Sequence, residues 1–293
     1  MNRHAQSATQ GTSIFIILTL VALATLAVGL TSQASRAYDP GQGRGKQVFY
    51  TTSDSGQPTG AEIWAIEISG GKITTRDVGS THGGDCVSLA LSPLSGMLYS
   101  MCGPLFGTQQ LATIDLNTGL ANSFGAGVPG HSVMAMAFGP DGTLYAVGDC
   151  NPNANFECTP GDPNYNSLYT VNTANGAFTR VGSTGAPQFF MDLAFDREGN
   201  MFGVTTTDNP SSVPAILYRI DLTTGAATQV ANLVGSNSLM GLAFGRNGSL
   251  YGTDFTNNPG LYLIDAKTGF ETAIAALPFC CSSSLELIKA PQD

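Results

Sequence analysis

From residue 47 onwards, apolar and polar residues alternate with a period of two, which is typical of β-strands with one buried and one polar face. Short runs rich in Val, Ile, Tyr and Phe end at turns that contain glycine, and no stretch after residue 37 keeps a helical period. The pattern therefore predicts an all-β chain of short antiparallel strands joined by tight turns.

Two strand-turn-strand patterns alternate along this chain. The first, exemplified by LYRIDLTTG, recurs at residues 63–70, 111–119, 168–176, 217–225 and 261–269. The second, exemplified by MAMAFGPDGTLY, recurs at residues 87–99, 134–145, 191–202 and 240–251. Repetition at a period of about 50 residues indicates a β-propeller, in which each unit is a blade of four antiparallel strands, a to d.

The two ends of the repeat region supply one further blade between them. Residues 282–293 resemble a strand a without a partner, and residues 47–53 resemble a strand b without a partner. We therefore predict a single five-bladed β-propeller, with blade 1 formed by 282–289 and 47–80. Blades 2 to 5 start near Asp85, Ser132, Phe189 and Ser238. Pairing of the C-terminal strand with the N-terminal strand closes the ring and leaves no exposed sheet edge at its centre.

The first 37 residues have the three parts of a secretory signal: Arg3 near the start, an apolar run over 14–30, and small residues before Tyr38. We expect a signal peptide at 1–37, an N-terminal arm at 38–46 and the propeller at 47–293. The mature protein would be secreted or periplasmic, without a membrane span and as a monomer. An uncleaved N-terminal anchor is the alternative.

The chain is acidic, with 12 basic and 21 acidic residues and a formal net charge of −9. Binding to nucleic acid requires a basic surface that neutralises phosphates, so we expect no nucleic-acid partner.

Six cysteines in an exported chain indicate disulfides rather than a metal cluster, although six allow 15 pairings. Cys86 opens strand a of blade 2 and Cys102 ends strand b, so the hairpin register places them opposite each other. Cys150 and Cys158 lie in one long loop and could close it. The adjacent Cys280 and Cys281 form either a vicinal disulfide or two free thiols.

The a-to-b and c-to-d turns are short, whereas the b-to-c and d-to-a connections are longer and irregular. By blade geometry the longer connections share one face, which we call the long-loop face, and such loops commonly carry binding residues. The candidate ligand-binding residues on this face are Phe156, Tyr165, His82, His131, Phe189, Cys280 and Cys281. The alternative is that these loops are solvated insertions and the histidines are ordinary surface residues.

Two carboxylates occur on predicted inner strands. Asp192 and Glu286 fall in the register that carries small residues such as Ala135 and Gly241 elsewhere. With Asp85 at the rim and His131 nearby, they are the candidate acid and base groups of a channel-centred enzyme, for example a glycosidase. The alternative is that both carboxylates accept hydrogen bonds from neighbouring strands.

The runs LAFDREGNMFGV (193–204) and LAFGRNGSLYGTDFTNNPGLYLID (242–265) resemble the repeats of secreted NHL-type and YVTN-type propellers. The resemblance covers most of the mature chain and implies roles from ligand or protein binding to metal-dependent lactonase and lyase chemistry. Gluconolactonase-like members hold a divalent metal with a Glu, Asn and Asp set. The inner strands of this chain have no corresponding set of residues.

The function expected from the sequence is therefore that of a secreted, non-catalytic propeller that binds a carbohydrate or another exported protein on its long-loop face. The alternative is a channel-centred hydrolase or lyase, either glycosidase-like or metal-dependent and lactonase-like. No cofactor is predicted, and a divalent metal is possible only under that alternative.

Overall fold

The computed structural model describes residues 45–53, 60–103, 108–128, 131–150, 165–206, 214–236, 238–256 and 259–288. Twenty strands form five antiparallel sheets of four strands each. The predicted five-bladed β-propeller with four-stranded blades is thereby confirmed. The predicted signal peptide and most of the predicted arm lie outside the described residues. Within the ranges above, no helix is long and apolar enough to cross a membrane.

The strands follow the chain in blade order. Blade 1 contains β1 (Gln47–Ser53), β2 (Glu62–Ser69), β3 (Lys72–Ser80) and the C-terminal β20 (Glu286–Ile288). Blade 2 contains β4 (Cys86–Leu91), β5 (Leu98–Cys102), β6 (Gln109–Ile114) and β7 (Ala121–Val128). Blade 3 contains β8 (His131–Phe138), β9 (Leu144–Cys150), β10 (Ser167–Val171) and β11 (Phe178–Ser183).

The last two blades complete the ring. Blade 4 contains β12 (Phe189–Phe195), β13 (Met201–Thr206), β14 (Ile216–Ile220) and β15 (Ala227–Asn232). Blade 5 contains β16 (Leu239–Phe244), β17 (Leu250–Asp254), β18 (Gly260–Ile264) and β19 (Glu271–Ala276). The observed inner strands of blades 2 to 5 start within one residue of the predicted positions.

The inner strands β4, β8, β12, β16 and β20 adjoin one another around the centre. In blades 3 to 5 the inner strand has a β-bulge at the same place, where two of its residues oppose one residue of strand b, and in blade 2 the bulge lies one position later, at Ser88. Apolar side chains from the two faces of each blade fill the interfaces with the neighbouring blades. The core is therefore divided into layers between blades.

The blades also approach each other through glycine at the outer strands. A Cβ added to Gly182 in β11 would lie 2.0 Å from the carbonyl oxygen of Thr224, in the β14–β15 turn of the next blade. Gly225 follows in that turn with a φ of 80°. A side chain at Gly182 would separate the blades, which explains glycine on the outer strand.

The predicted ring closure is confirmed, because β20 pairs antiparallel with β1 through Glu286 and Tyr50, Leu287 and Phe49, and Ile288 and Val48. The preceding serines are held by buried hydroxyl groups. Ser282 Oγ lies 2.6 Å from Thr51 Oγ1 and donates to Thr253 Oγ1 at 2.7 Å. Thr52 Oγ1 lies 2.7 Å from Ser283 Oγ and 2.8 Å from Ser284 Oγ. Side-chain hydrogen bonds therefore extend the short strand that closes the ring.

Candidate functional site

The carboxyl group of Asp192 lies at the centre of the ring and is 0% exposed. Its Oδ1 accepts the backbone N–H of Leu193 at 2.9 Å, and its Oδ2 accepts those of Leu242 at 2.8 Å and Leu285 at 3.0 Å. These donors belong to blade 4, blade 5 and the segment that precedes β20. One side chain thus connects the inner edges of three adjacent blades.

Asp192 takes the place that Ser88, Ala135 and Gly241 have in the other blades, two residues before the alanine that pairs with the strand-b aromatic. Burial raises the pKa of Asp192 well above its ordinary value, the three N–H groups partly oppose this shift, and the charge of Glu286 adds to it. The geometry is that of a buried acceptor joining strands, which was the structural alternative considered for this residue.

Glu286 lies in the alternating register predicted from the sequence, two positions after the place that Asp192 has in blade 4. It pairs with Tyr50, the counterpart of Phe202 and Tyr251, and therefore takes the place of Ala194 and Ala243. No a-to-b turn joins β20 to β1, so the register of β20 is set by its pairing with β1 and by the hydroxyl bonds, not by a turn.

A cavity of about 150 Å³ lies at the end of the ring that carries the short a-to-b turns. We call it the channel cavity. All five blades line it, among other residues through Leu91, Phe138, Phe195, Phe244, Glu286 and Leu287. Glu286 is half-buried at this cavity. The channel cavity thus combines aromatic and aliphatic side chains with a carboxylate.

At the opposite end, the long-loop face carries a vicinal disulfide between Cys280 and Cys281. Ser53 Oγ donates to the carbonyl of Cys280 at 2.6 Å, and the N–H of Cys281 donates to the carbonyl of Thr256 at 2.9 Å. Both cysteines are half-buried. Blades 1 and 5 therefore hold this dipeptide from both sides.

Phe279, which directly precedes this disulfide in the chain, forms an aromatic pair with Trp64 of β2. The rings of Trp64 and Phe279 stack with centroids 4.8 Å apart and an interplanar angle of 27°. Trp64 is half-buried, and its Nε1–H donates to Glu62 Oε2 at 3.3 Å. The sequence prediction did not include Trp64 or Phe279. The only available signal was that Trp64 is the single tryptophan of the chain.

The structure separates the other predicted rim residues. Tyr165 is 7% exposed, donates its hydroxyl to the carbonyl of Pro187 at 2.9 Å, and packs against Phe189 with centroids 5.9 Å apart. Phe189 is half-buried. His82 is exposed and Asp85 is half-buried, both in the connection between blades 1 and 2. These side chains belong to different blade junctions.

The predicted disulfide between Cys86 and Cys102 is confirmed, with an S–S distance of 2.06 Å and the two residues paired across β4 and β5. The predicted bridge from Cys150 to Cys158 and the loop residue Phe156 lie outside the described residues. The backbone of His131 pairs with that of Cys150. The side chains of these two residues are outside the described set.

Two buried carboxylates of blade 5 were missed by the sequence analysis. Asp254 accepts the N–H of Gly260 at 2.6 Å and the hydroxyl of Tyr262 at 3.1 Å. Burial raises the pKa of Asp254 and, assisted by the charge of Asp254, raises that of Tyr262 to about 12. Glu271 is 5% exposed, its Oε2 accepts the N–H of Ser236, and burial raises its pKa.

The position of Glu271 has a structural explanation. At the corresponding junctions, Thr81 and Thr184 use their own hydroxyl groups to accept the N–H two residues later. Leu233 takes this place in blade 4, because its N–H donates to the carbonyl of Ala215 as those of Thr81 and Thr184 donate to Ala61 and Asn166. Leucine has no hydroxyl, and in this junction Glu271 of the next blade accepts the N–H of Ser236. Leucine in place of the junction threonine was the sequence signal for this arrangement.

Over the described ranges, no group of three or more His, Cys, Asp or Glu side chains could hold a metal ion. Of the residues named as catalytic candidates, Asp192 and Glu286 interact electrostatically, but Asp192 is enclosed by backbone donors whereas Glu286 lines the channel cavity. Asp85 lies apart from them at a blade junction.

Comparisons with known proteins add a family and a set of similar folds. The profile of a family described as "Repeat of unknown function (DUF6923)" matches residues 49–276. No curated protein matches the chain.

Several solved structures have a similar fold. TolB from Acinetobacter baumannii is 14% identical, with 83% of this chain and 66% of that chain covered and a TM-score of 0.48. A gluconolactonase from Xanthomonas campestris is 14% identical, with 81% and 78% covered and a TM-score of 0.46. A chain of a nidogen/laminin complex is 9% identical, with 84% and 99% covered and a TM-score of 0.48. At these identities the similarity concerns the fold alone.

Proposed function

Since the chain belongs to the DUF6923 repeat family and forms a closed five-bladed propeller, we propose that it is an exported, non-catalytic protein that binds a carbohydrate or another exported protein on its long-loop face. Export is supported by the signal-like leader and by the Cys86–Cys102 disulfide, because disulfides persist in oxidising compartments.

The observation that carries this proposal is the surface formed by the vicinal disulfide and the Trp64–Phe279 stack, which we call the disulfide platform. Its backbone is held by Ser53 from blade 1 and Thr256 from blade 5. A ligand that binds a surface already held in place loses little conformational entropy in ordering it. The half-buried ring of Trp64 and the half-buried disulfide offer an apolar contact to a sugar face or to a protein side chain, and the buried ring of Phe279 supports Trp64 from below.

The use of the interior carboxylates supports binding over channel chemistry. Asp192 accepts three backbone N–H groups, Asp254 accepts one together with a tyrosine hydroxyl, and Glu271 accepts one. Each carboxylate therefore supplies an acceptor to buried donors of the fold, and buried donors require one. Their positions are therefore accounted for by stability. Glu286, by contrast, lies at the surface of the channel cavity.

The test uses the fluorescence of Trp64, which reports on the platform because the chain has one tryptophan. The full chain is produced in a host that exports it, and the purified protein is titrated with a panel of oligosaccharides and with divalent metals. A pull-down from the exported proteins of the same cells forms a second arm. We expect saturable binding that changes Trp64 emission.

A pair of disulfide variants provides the control. Replacement of Cys280 and Cys281 by serine should abolish binding, whereas replacement of Cys86 and Cys102 by serine should preserve it. Turnover of a bound sugar or lactone that is lost in Glu286→Gln would contradict the proposal in favour of a channel enzyme. Binding that is equal in both disulfide variants, or absent from both arms, would also contradict it.

A further inference from the structure

Three phenylalanines occupy the same position in three consecutive blades. Phe138, Phe195 and Phe244 are the last residues of β8, β12 and β16, and each is half-buried at the channel cavity. Blade 2 has Leu91 at this position. The cavity therefore has an aromatic wall that spans three blades.

Each of these rings is held by an aromatic ring of the preceding blade. Tyr99 and Phe138 have ring centroids 5.4 Å apart, and Tyr145 and Phe195 have centroids 5.9 Å apart. Phe202 and Phe244 have centroids 5.4 Å apart. Tyr99 and Tyr145 are buried in the blade interfaces. The aromatic wall is thus positioned before any ligand arrives.

The electrostatics of the cavity favour a cation. Glu286 of blade 1 and Asp196 of blade 4 line it, and no lysine or arginine is among the described residues that do. Asp196 accepts the backbone N–H and side-chain Nδ2–H of Asn200, both at 2.7 Å, so its role in the turn is clear. Glu286 projects into a cavity otherwise lined largely by Phe, Ala, Leu and Pro. The negative net charge of the chain also favours the approach of cations.

Size and hydrogen bonding narrow the class of cation. A cavity of about 150 Å³ holds one group of about the size of benzene. A primary ammonium has three N–H donors that each require an acceptor, whereas a quaternary ammonium has none. Aromatic rings attract quaternary ammonium groups through their quadrupoles. Aromatic rings with one acidic side chain therefore suit a methylated ammonium.

We propose that the channel cavity binds a quaternary ammonium group, held against Phe138, Phe195 and Phe244 and neutralised by Glu286. This site lies at the end of the ring opposite the long-loop face and does not depend on the function proposed for that face. The group can belong to a free molecule such as choline or to a trimethylated lysine in a peptide, and the two sources share the same chemistry at the cavity.

The test measures binding of choline to the full chain by isothermal titration calorimetry. The matched neutral ligand is 3,3-dimethylbutan-1-ol, in which carbon replaces the charged nitrogen. We expect choline to bind at least tenfold more tightly than the alcohol. A short peptide with trimethyllysine, compared with the same peptide carrying unmodified lysine, identifies the source: tighter binding of the trimethyllysine peptide than of choline points to a protein ligand, and the reverse to a free molecule.

Variants connect binding to the cavity. Glu286→Gln keeps the size of the side chain and should weaken choline binding about tenfold. Phe195→Leu and Phe244→Leu place the residue of blade 2 in blades 4 and 5, so they should fold and weaken binding further. Asp77→Asn, which removes an exposed charge from β3, is the control and should leave binding unchanged.

The proposal would be overturned by any of three results: no saturable binding of choline or of the trimethyllysine peptide at millimolar concentration, equal binding of choline and its neutral analogue, or unchanged binding in Glu286→Gln and both Phe→Leu variants. Circular dichroism and a thermal melt of each variant show whether a loss of binding reflects unfolding.

Discussion

The segment that closes the ring, residues 277–288, differs from the inner strands of blades 2 to 5. Each of those four strands is joined to its neighbour by a short turn, has at least six residues and carries a β-bulge. The closing segment has no such turn, and β20 has only three residues. It is held by serine and threonine hydroxyls and by the carboxylate of Asp192.

The difference shows how a repeat protein compensates for a break in its chain. Where a turn joins two strands, the turn and the apolar pattern fix the register. At the closure, directional hydrogen bonds between side chains perform this task. The same short segment supplies Phe279, Cys280 and Cys281 to the disulfide platform and Glu286 to the channel cavity. Part of the disulfide platform and the Glu286 carboxylate of the channel cavity therefore come from the segment where the sequence departs from its repeat.

The largest effect is expected from removal of the closing strand. Truncation after Cys281 removes Ser282–Ser284 and β20, which opens the sheet of blade 1 and leaves Asp192 without the Leu285 donor. We expect loss of the cooperative thermal transition of the whole propeller. Truncation after Ile288 is the control and should retain the transition. Survival of a cooperative transition in the shorter chain would show that closure is not required for stability.

The next largest effect is expected from Asp192→Ala, which leaves three buried backbone donors without an acceptor. Each such donor costs about 1–3 kcal/mol, so we expect a loss of about 4 kcal/mol in the free energy of unfolding. Asp192→Asn keeps an acceptor oxygen and should lose less. Denaturant unfolding at neutral pH measures both values. Equal losses in the two variants would show that the bonds to the carboxyl are unimportant.

Because the pKa of Asp192 is raised, the free energy of unfolding of wild type should depend on pH in a way that Asp192→Asn does not. A carboxyl whose pKa is higher in the folded than in the unfolded state contributes less stability as the pH rises from its ordinary value towards the raised value. Asp192→Asn removes this loss. The free energy of unfolding of wild type minus that of Asp192→Asn should therefore decrease as the pH rises above about 4, the ordinary pKa of an aspartate. An increase over this range would mean that Asp192 is ionised in the fold.

A smaller loss is expected from replacement of Ser282, Ser283 and Ser284 by alanine. Each buried hydroxyl bond contributes about 1 kcal/mol, so the triple variant should lose about 3 kcal/mol while it retains β20. Ser123→Ala in the exposed part of β7 is the control and should change little. A triple variant as stable as wild type would leave β20 pairing as the sole source of closure.

The smallest loss of stability is expected at Glu271, where the sequence departs from its repeat outside the closing segment. Glu271→Ala removes the acceptor of the Ser236 N–H and should cost about 2 kcal/mol. Glu271→Gln keeps an acceptor oxygen at the same place and should lose about 1 kcal/mol. Denaturant unfolding of the two variants measures these losses. Equal losses in both would contradict this explanation.

The repeat, the five blades, the closure and the Cys86–Cys102 bridge could be predicted because period, alternation and strand register are local properties of the sequence. The register of Glu286 could also be predicted, because residues 283–287 repeat the pattern of the other inner strands although no turn connects β20 to its partner. The contacts of Asp192 and Glu271 join neighbouring blades, and the burial of Tyr165 depends on Pro187 of the next connection and on Phe189 of β12. Such contacts become visible only when the ring is assembled.

Hydrogen–deuterium exchange of the full chain, with and without the ligand that changes Trp64 emission, tests most directly whether the closing segment is a binding region. We predict that saturating ligand slows exchange in peptides that cover residues 277–288 and leaves the inner strands of blades 2 and 3 unchanged. Slower exchange at β4 and β8, with no change at residues 277–288, would contradict the account.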